Sequence, residues 1–174
     1  LGLRRGLGVL GRVAGGGVGA VRGRSLRRRL LGGAGSGAPR ERRQGRGGRR
    51  AEFLDELQIE AINRYSRRDL PRRPTLFIEF GGMPAAVAEQ VAAVREICAE
   101  HGGDDFQWAS DPAERASLWE ARHKAAYAAM ALRPGARAWA TDVCVPISSL
   151  ADCIAGARED AASAPFPTMV VGHV

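Results

Sequence analysis

Thr75-Leu-Phe-Ile-Glu-Phe-Gly-Gly-Met-Pro-Ala-Ala-Val-Ala-Glu-Gln-Val-Ala-Ala-Val-Arg-Glu-Ile-Cys98 is the stretch on which the fold turns. Its first six residues form an apolar run of strand length, stopped by Gly81-Gly82. Pro84 suits the first turn of a helix, where its missing N–H costs nothing. Val87, Val91, Val94 and Cys98 then recur at +4, +3 and +4, the spacing of one apolar helix face, and His101-Gly-Gly closes it. The segment predicts one β-α unit.

Working outward, the pattern recurs. Phe106-Gln-Trp108 reads as a strand, and Asp111, Pro112 and Glu114 supply the cap, first-turn proline and third-position acid of a helix start. That helix is expected to reach about Leu132, where Arg133-Pro-Gly stops it. Ala138 to Val145 reads as a third strand, Ser148 or Ser149 as the cap of a helix through about Ala162, and Thr168 to Val174 as a fourth strand. On the N-terminal side, Phe53, Leu57 and Ile62 give Glu52 to Tyr65 a roughly helical spacing, and Pro71 and Pro74 bracket a break. Strands alternating with helices predict an α+β chain, a ferredoxin-like sheet layered by helices, and the fourth strand running into the last residue reads as a truncated domain.

Residues 1–50 differ in kind. They hold 14 basic side chains against one acid, Glu41, a balance of +13, while the other 124 residues carry 12 basic and 18 acidic groups, a balance of −6. The overall +7 therefore describes no single folded object. Sixteen of the 23 glycines and no aromatic residue fall in this segment, too little apolar area to offset backbone entropy, so disorder is expected. Three readings stay open for it: a mitochondrial leader, though Ser25 and Ser36 are its only serines; an RNA- or polyanion-binding tract, though without aromatic interleaving; or a frame-shifted or mis-spliced translation with no natural role. The domain boundary is placed at residues 50/51.

Cys98, Cys144 and Cys153 give an odd count with no C-x-x-C spacing, which fits a reducing compartment rather than a disulfide scaffold. No run approaches the roughly 20 apolar residues of a membrane span. No Gly-rich phosphate loop follows a strand, and Ser117, His123 and Tyr127 form no nucleophile arrangement. Arg122 has Leu118, Trp119, Ala126 and Ala129 at i−4, i−3, i+4 and i+7, so its guanidinium emerges from an apolar stripe. A planar, always-charged fork in such a setting binds a carboxylate in two-pronged fashion. Spacing alone favours a plainer role, with the methylenes on the core and the head in solvent or paired with Glu79 or Asp142. His173, sharing a strand face with Met169 and Val171, reads likewise as a core histidine, and no second ligand stands at metal spacing. Asp142, alternating with Ala140 and Cys144, serves a loop as readily as a site.

Several words occur in one order: Pro74-Thr-Leu-Phe-Ile-Glu-Phe80, Leu118-Trp-Glu-Ala-Arg-His123, Arg133-Pro-Gly135, Thr141-Asp-Val-Cys-Val-Pro-Ile-Ser148 and Val171-Gly-His-Val174. Together with Glu52-Phe-Leu-Asp-Glu56 and Asn63-Arg-Tyr-Ser66, they make residues 51–174 resemble the C-terminal domain of the FAD-linked oxidases. Within that family they look most like the mitochondrial D-lactate dehydrogenases that reduce cytochrome c. The octet Thr141 to Ser148 is the most specific part of the match.

The resemblance implies an FAD-dependent oxidation of a D-2-hydroxy acid such as D-lactate, a mitochondrial setting, and cytochrome c rather than nucleic acid as partner. It places Arg122 on the carboxylate-binding arginine and His173 on the first histidine of a divalent-metal site, zinc or manganese. Ala140 stands where relatives acting on D-2-hydroxyglutarate carry a lysine, which points to a monocarboxylate. Ala126 stands where lactate enzymes carry a bulky aromatic, which points to a wider pocket. The FAD-binding domain and the remaining metal ligands have no counterpart in these residues, so the isolated chain is expected to be inactive. The alternative is a non-catalytic fragment whose basic tail binds RNA or another polyanion.

Overall fold

The computed structural model describes residues 4–10, 50–103 and 106–173, the first of these as backbone only. The strands are β1 (Arg4–Leu10), β2 (Arg50–Leu54), β3 (Thr75–Gly82), β4 (Gln107–Ala109) and β5 (Val171–His173). The helices are α1 (Glu56–Ser66), α2 (Pro84–Glu100), α3 (Pro112–His123), α4 (Ala125–Ala131) and α5 (Leu150–Ser163), the last entered through a 3-10 turn at Ile147–Ser149. All pairings are antiparallel, in the order β4-β1-β3-β2-β5. The chain is α+β, as expected.

Alternation along β3 sends its side chains to opposite faces of the sheet. Phe77 joins Leu54, Ile59, Ile62 and Trp119 on one face, under α1, α3 and α4. Ile78 and Phe80 join Val87, Val91, Val94 and Cys98 on the other, under α2. The valine stripe of α2 therefore packs as its spacing predicts, and Pro84 opens the helix at its first turn. Gly82, at φ +145°, lets the chain leave β3 sharply for that helix; an L side chain adopts this backbone only with strain. At α3, Asp111 Oδ1 accepts from the N–H groups of Ala113 and Glu114 at 2.8 and 3.0 Å, the expected cap.

Four expectations change. Glu52 to Tyr65 is not one helix: Arg50–Leu54 is a strand, and Asp55 caps a helix that starts at Glu56. Strand and helix each bury apolar residues there, so the composite pattern of Phe53, Leu57 and Ile62 mimics a single helical period. The expected long helix divides at Lys124 into α3 and α4. Ala138 to Val145 forms no strand; its residues carry no regular secondary structure and are exposed except the half-buried Val145, and no described strand lies alongside to pair with it. Within the Gly/Arg-rich segment, expected to be disordered, Arg4–Leu10 pairs with β3 and β4. Backbone pairing to an open sheet edge needs no apolar side chains. Residues 11–49 lie outside the described residues. Among those described, no helix is long and apolar enough to cross a membrane.

Candidate functional site

The junction of β2 and α1 stitches distant elements together through the polar contacts of three residues, Asp55, Glu56 and Gln58. Asp55 Oδ1 caps α1 by accepting from the Gln58 N–H at 2.7 Å, while Oδ2 accepts from the Val170 N–H at 2.6 Å. Its own N–H donates to the Val170 carbonyl at 3.1 Å, so this one residue holds the approach to β5 from both sides. Burial pushes the Asp55 carboxyl above its ordinary value despite those two donated N–H bonds. The Gln58 side chain donates to the Ala125 carbonyl at 3.0 Å, fixing the start of α4. Both carboxylate oxygens of Glu56 accept from Nη2 of Arg158 in α5, at 2.8 and 2.9 Å. Partial burial would raise the Glu56 carboxyl, but its own backbone N–H and Arg158 together hold it lower than usual.

Glu52 is the centre of this corner. In register, its Cα partner on β5 is His173, and its partner on β3 is Phe77, which puts its side chain on the α3 face of the sheet. Although acidic, it is only 2% exposed. A carboxylate this buried persists only when paired and hydrogen-bonded. Arg122 of α3 supplies the pairing, with Nε and Nη2 at 2.6 and 2.5 Å from Glu52 Oε2. The other oxygen, Oε1, lies 3.3 Å from His173 Nδ1 and 3.5 Å from Arg50 Nε. The Arg50 guanidinium in turn sits 4.9 Å from the centre of the Trp119 ring, which also stacks with the imidazole of His123 at 6.1 Å.

The structure thus brings the two sequence-nominated residues, Arg122 and His173, onto one carboxylate. Arg122 pairs with neither Glu79 nor Asp142, and His173 is no core residue, since its side chain is 78% exposed. Asp142 and Cys144 lie on the exposed stretch, away from the corner. Ser117 accepts from Arg68 at 2.8 Å through its hydroxyl and at 2.7 Å through its carbonyl, a tie between the α1–β3 loop and α3. Tyr127 is exposed.

Glu52 itself was not nominated by the sequence. Its one signal is an acid between Ala51 and Phe53 in a run that reads apolar on either side, and that signal is lost once the run is taken for a helix start, where acids are ordinary.

Chemically, Nε and Nη2 form the side edge of the guanidinium, so Glu52 takes that edge and leaves the end of the fork, Nη1 with the outer Nη2 hydrogen, for a ligand. His173 Nδ1 faces Glu52 Oε1 at 3.3 Å, which turns the Nε2 side of the ring away from the carboxylate. A metal is a different matter. Among the described residues no three His, Cys, Asp or Glu side chains gather to hold an ion. The nearest carboxylate to His173 is the one already committed to Arg122, so the described residues do not by themselves fit the zinc or manganese site that the resemblance implies. Neither do they hold a Gly-rich cradle for a flavin's phosphates.

Residues 34–174 match the family described as FAD linked oxidases, C-terminal domain. A zebrafish (Danio rerio) protein named probable mitochondrial D-lactate dehydrogenase is 48% identical over 125 residues, 72% of this chain and 25% of that protein. A mitochondrial D-lactate dehydrogenase (cytochrome) of Arabidopsis thaliana is 40% identical over 124 residues, covering 71% and 22%. That of Kluyveromyces lactis is 33% identical over 130 residues, covering 70% and 23%. The chain therefore spans about a quarter of the length of the curated relatives it matches. By the extent of the family match, the chain belongs to the FAD-linked oxidases, in their C-terminal domain.

Proposed function

We propose that residues 51–174 form part of the substrate-side domain of a mitochondrial, FAD-dependent D-2-hydroxyacid dehydrogenase that oxidises D-lactate to pyruvate and passes the electrons to cytochrome c. The observation that carries this reading is Arg122, held by Glu52 along its Nε–Nη2 edge with its side chain still 18% exposed. The relatives named for D-lactate and cytochrome support the substrate and the acceptor. The flavin's part in such a reaction is to accept the hydride from C2 of the acid. The part of this chain is to hold the acid's carboxylate on the end of the Arg122 fork, because a fixed carboxylate fixes the direction of the C2–H bond.

Ala140 offers no cation for a second carboxylate, which favours lactate over a dicarboxylic hydroxy acid. The sheet supports a ferredoxin-like plan, since β3, α2 and β4 form a split β-α-β unit around β1. Helix α1, standing where that plan has a hairpin between β2 and β3, is its departure.

In the flavin-loaded full-length protein, Arg122→Ala is expected to raise the half-saturating D-lactate concentration at least about thirtyfold, the loss that follows removal of one partner of a desolvated charge pair. Unchanged saturation and turnover would remove Arg122 from the site. Faster flavin bleaching by D-2-hydroxyglutarate than by D-lactate would overturn the monocarboxylate reading.

A further inference from the structure

We propose that Glu52 is the positioning residue of the substrate site, the single buried carboxylate that sets the orientation of both Arg122 and His173. The inference rests on the reading of Arg122 as carboxylate anchor, and adds the group that makes the anchor directional.

Three observations carry it. First, the contact is specific in its geometry. Arg122 Nε and Nη2 both converge on Oε2, at 2.6 and 2.5 Å, which fixes the plane of the guanidinium as well as its place. An arginine side chain turns freely about several bonds, and one held only by its charge would not present a constant edge to a ligand. Second, the other oxygen is used as well. Oε1 faces His173 Nδ1 at 3.3 Å, so the same carboxylate that orients the fork also chooses which ring nitrogen of His173 is turned outward. Third, the three residues come from separate elements, 70 positions apart for Glu52 and Arg122, and Glu52 lies on a strand interior. Strand residues flanked by buried Phe53 and Leu54 move less than loop residues, and a site built on them keeps its geometry.

Burial divides along the same lines. Glu52 is closed off at 3% side-chain exposure, Arg122 is at 18% and His173 at 78%. The carboxylate lies beneath and the two groups that can meet a ligand lie above it. Arg50 adds a second cation at 3.5 Å, with its charge spread over the Trp119 face, and keeps Glu52 Oε1 from being left to His173 alone. Glu52 does not touch the substrate in this arrangement. It acts through Arg122, and a rise in KM that disappears once Arg122 is itself replaced is its signature.

The test uses the flavin-loaded full-length protein and four variants: Glu52→Gln, Glu52→Asp, Arg122→Lys, and Glu52→Gln with Arg122→Lys. Glu52→Gln keeps size and one acceptor but loses the charge that fixes the fork. It is expected to raise KM for D-lactate about tenfold while leaving flavin content unchanged. Glu52→Asp, which keeps the charge one methylene short, is expected to fall between Glu52→Gln and the parent. The double variant is expected to be no worse than Arg122→Lys alone, because a residue acting through Arg122 has nothing further to lose once that fork is gone.

If Arg122→Lys raises KM and Glu52→Gln does not, the inference is overturned and the anchor reading stands. If Arg122→Lys leaves KM unchanged, the anchor reading falls and takes the inference with it. Effects that multiply in the double variant would also overturn it. Should Glu52→Gln fail to fold, Glu52→Asp decides: a folded protein with the parent KM is the contrary result.

Discussion

Two stretches of this chain carry a similar strand-like alphabet and meet opposite fates. Val171-Gly-His173 is three residues long and holds a glycine, yet it pairs with β2 and places His173 beside Glu52. Ala138 to Val145 is longer, with Trp139, Thr141, Val143 and Val145 in alternation, yet it forms no strand and leaves Trp139 91% and Val143 70% exposed. Composition therefore does not separate them; the presence of a neighbour does. β5 is led to the edge of β2 by Asp55, which grips Val170 through its backbone and its carboxylate. No described residue plays that part for Ala138 to Val145. A strand is a relation between two segments, and its propensity is realised only when a second backbone supplies the missing donors and acceptors.

The contrast can be broken at three points. The largest effect is expected at the packed end, where Phe77 lies fully buried between the sheet and Trp119. Phe77→Ala should cost about 3–5 kcal/mol in urea unfolding, because it leaves a cavity under α3 as well as losing buried area. A loss below about 1 kcal/mol would mean that this face of the sheet is not packed as described.

Next comes the grip on β5. Asp55→Asn keeps the helix cap but turns an amide N–H toward the Val170 N–H, and should cost about 1–3 kcal/mol. The pH dependence gives the sign. Burial raises the Asp55 carboxyl in the folded chain, so the folded state holds the proton more tightly than the unfolded state does. Stability from this group is fully present below 3.8 and is lost as pH rises through the raised folded value. The deficit of Asp55→Asn relative to the parent should therefore shrink as pH rises above 3.8 through the raised folded value. A deficit that grows over that window would refute the assignment.

The smallest effect belongs to the exposed end: Trp139→Ala should leave stability within about 0.5 kcal/mol, since the ring meets little but water. A large loss there would show that the stretch is covered after all.

Much of this fold was legible in the sequence, and the limits of that legibility are physical. The β3-α2 unit was readable because its period and its stop signals agree: a six-residue apolar run, Gly81-Gly82, Pro84, then a valine stripe. The α3 cap was readable because a local hydrogen bond, Asp111 to its own next turn, needs nothing from the rest of the chain. β2 was not readable, since a five-residue strand buried on both faces abuts a helix start with only Asp55 between them, and the two apolar patterns merge. The break at Lys124 gave no signal because no proline or glycine marks it, and Arg122-His123 before it and Ala125-Ala126 after it are all compatible with a continuous helix.

For the site, Arg122 was visible as a charge inside an apolar stripe. His173 was visible only through the resemblance, because periodicity counts it as a core position and tertiary pairing at the edge of β2 leaves it exposed. Glu52 was invisible, because what marks it is not its neighbours in sequence but an arginine 70 positions away. Burial of that kind is a property of the assembled corner.

The account's central claim is that one carboxylate knits β2, α3 and β5 into a site, and a double-mutant cycle between Glu52 and Arg122 tests it most directly. Glu52→Gln, Arg122→Met and their combination are compared by urea unfolding of this chain at neutral pH. The account predicts a coupling of about 1 kcal/mol or more, with the double variant losing clearly less than the sum of the single variants, because each single change strands the other partner. Losses that add to within about 0.5 kcal/mol would contradict it, and would return Arg122 to the solvent-directed role that spacing alone suggests.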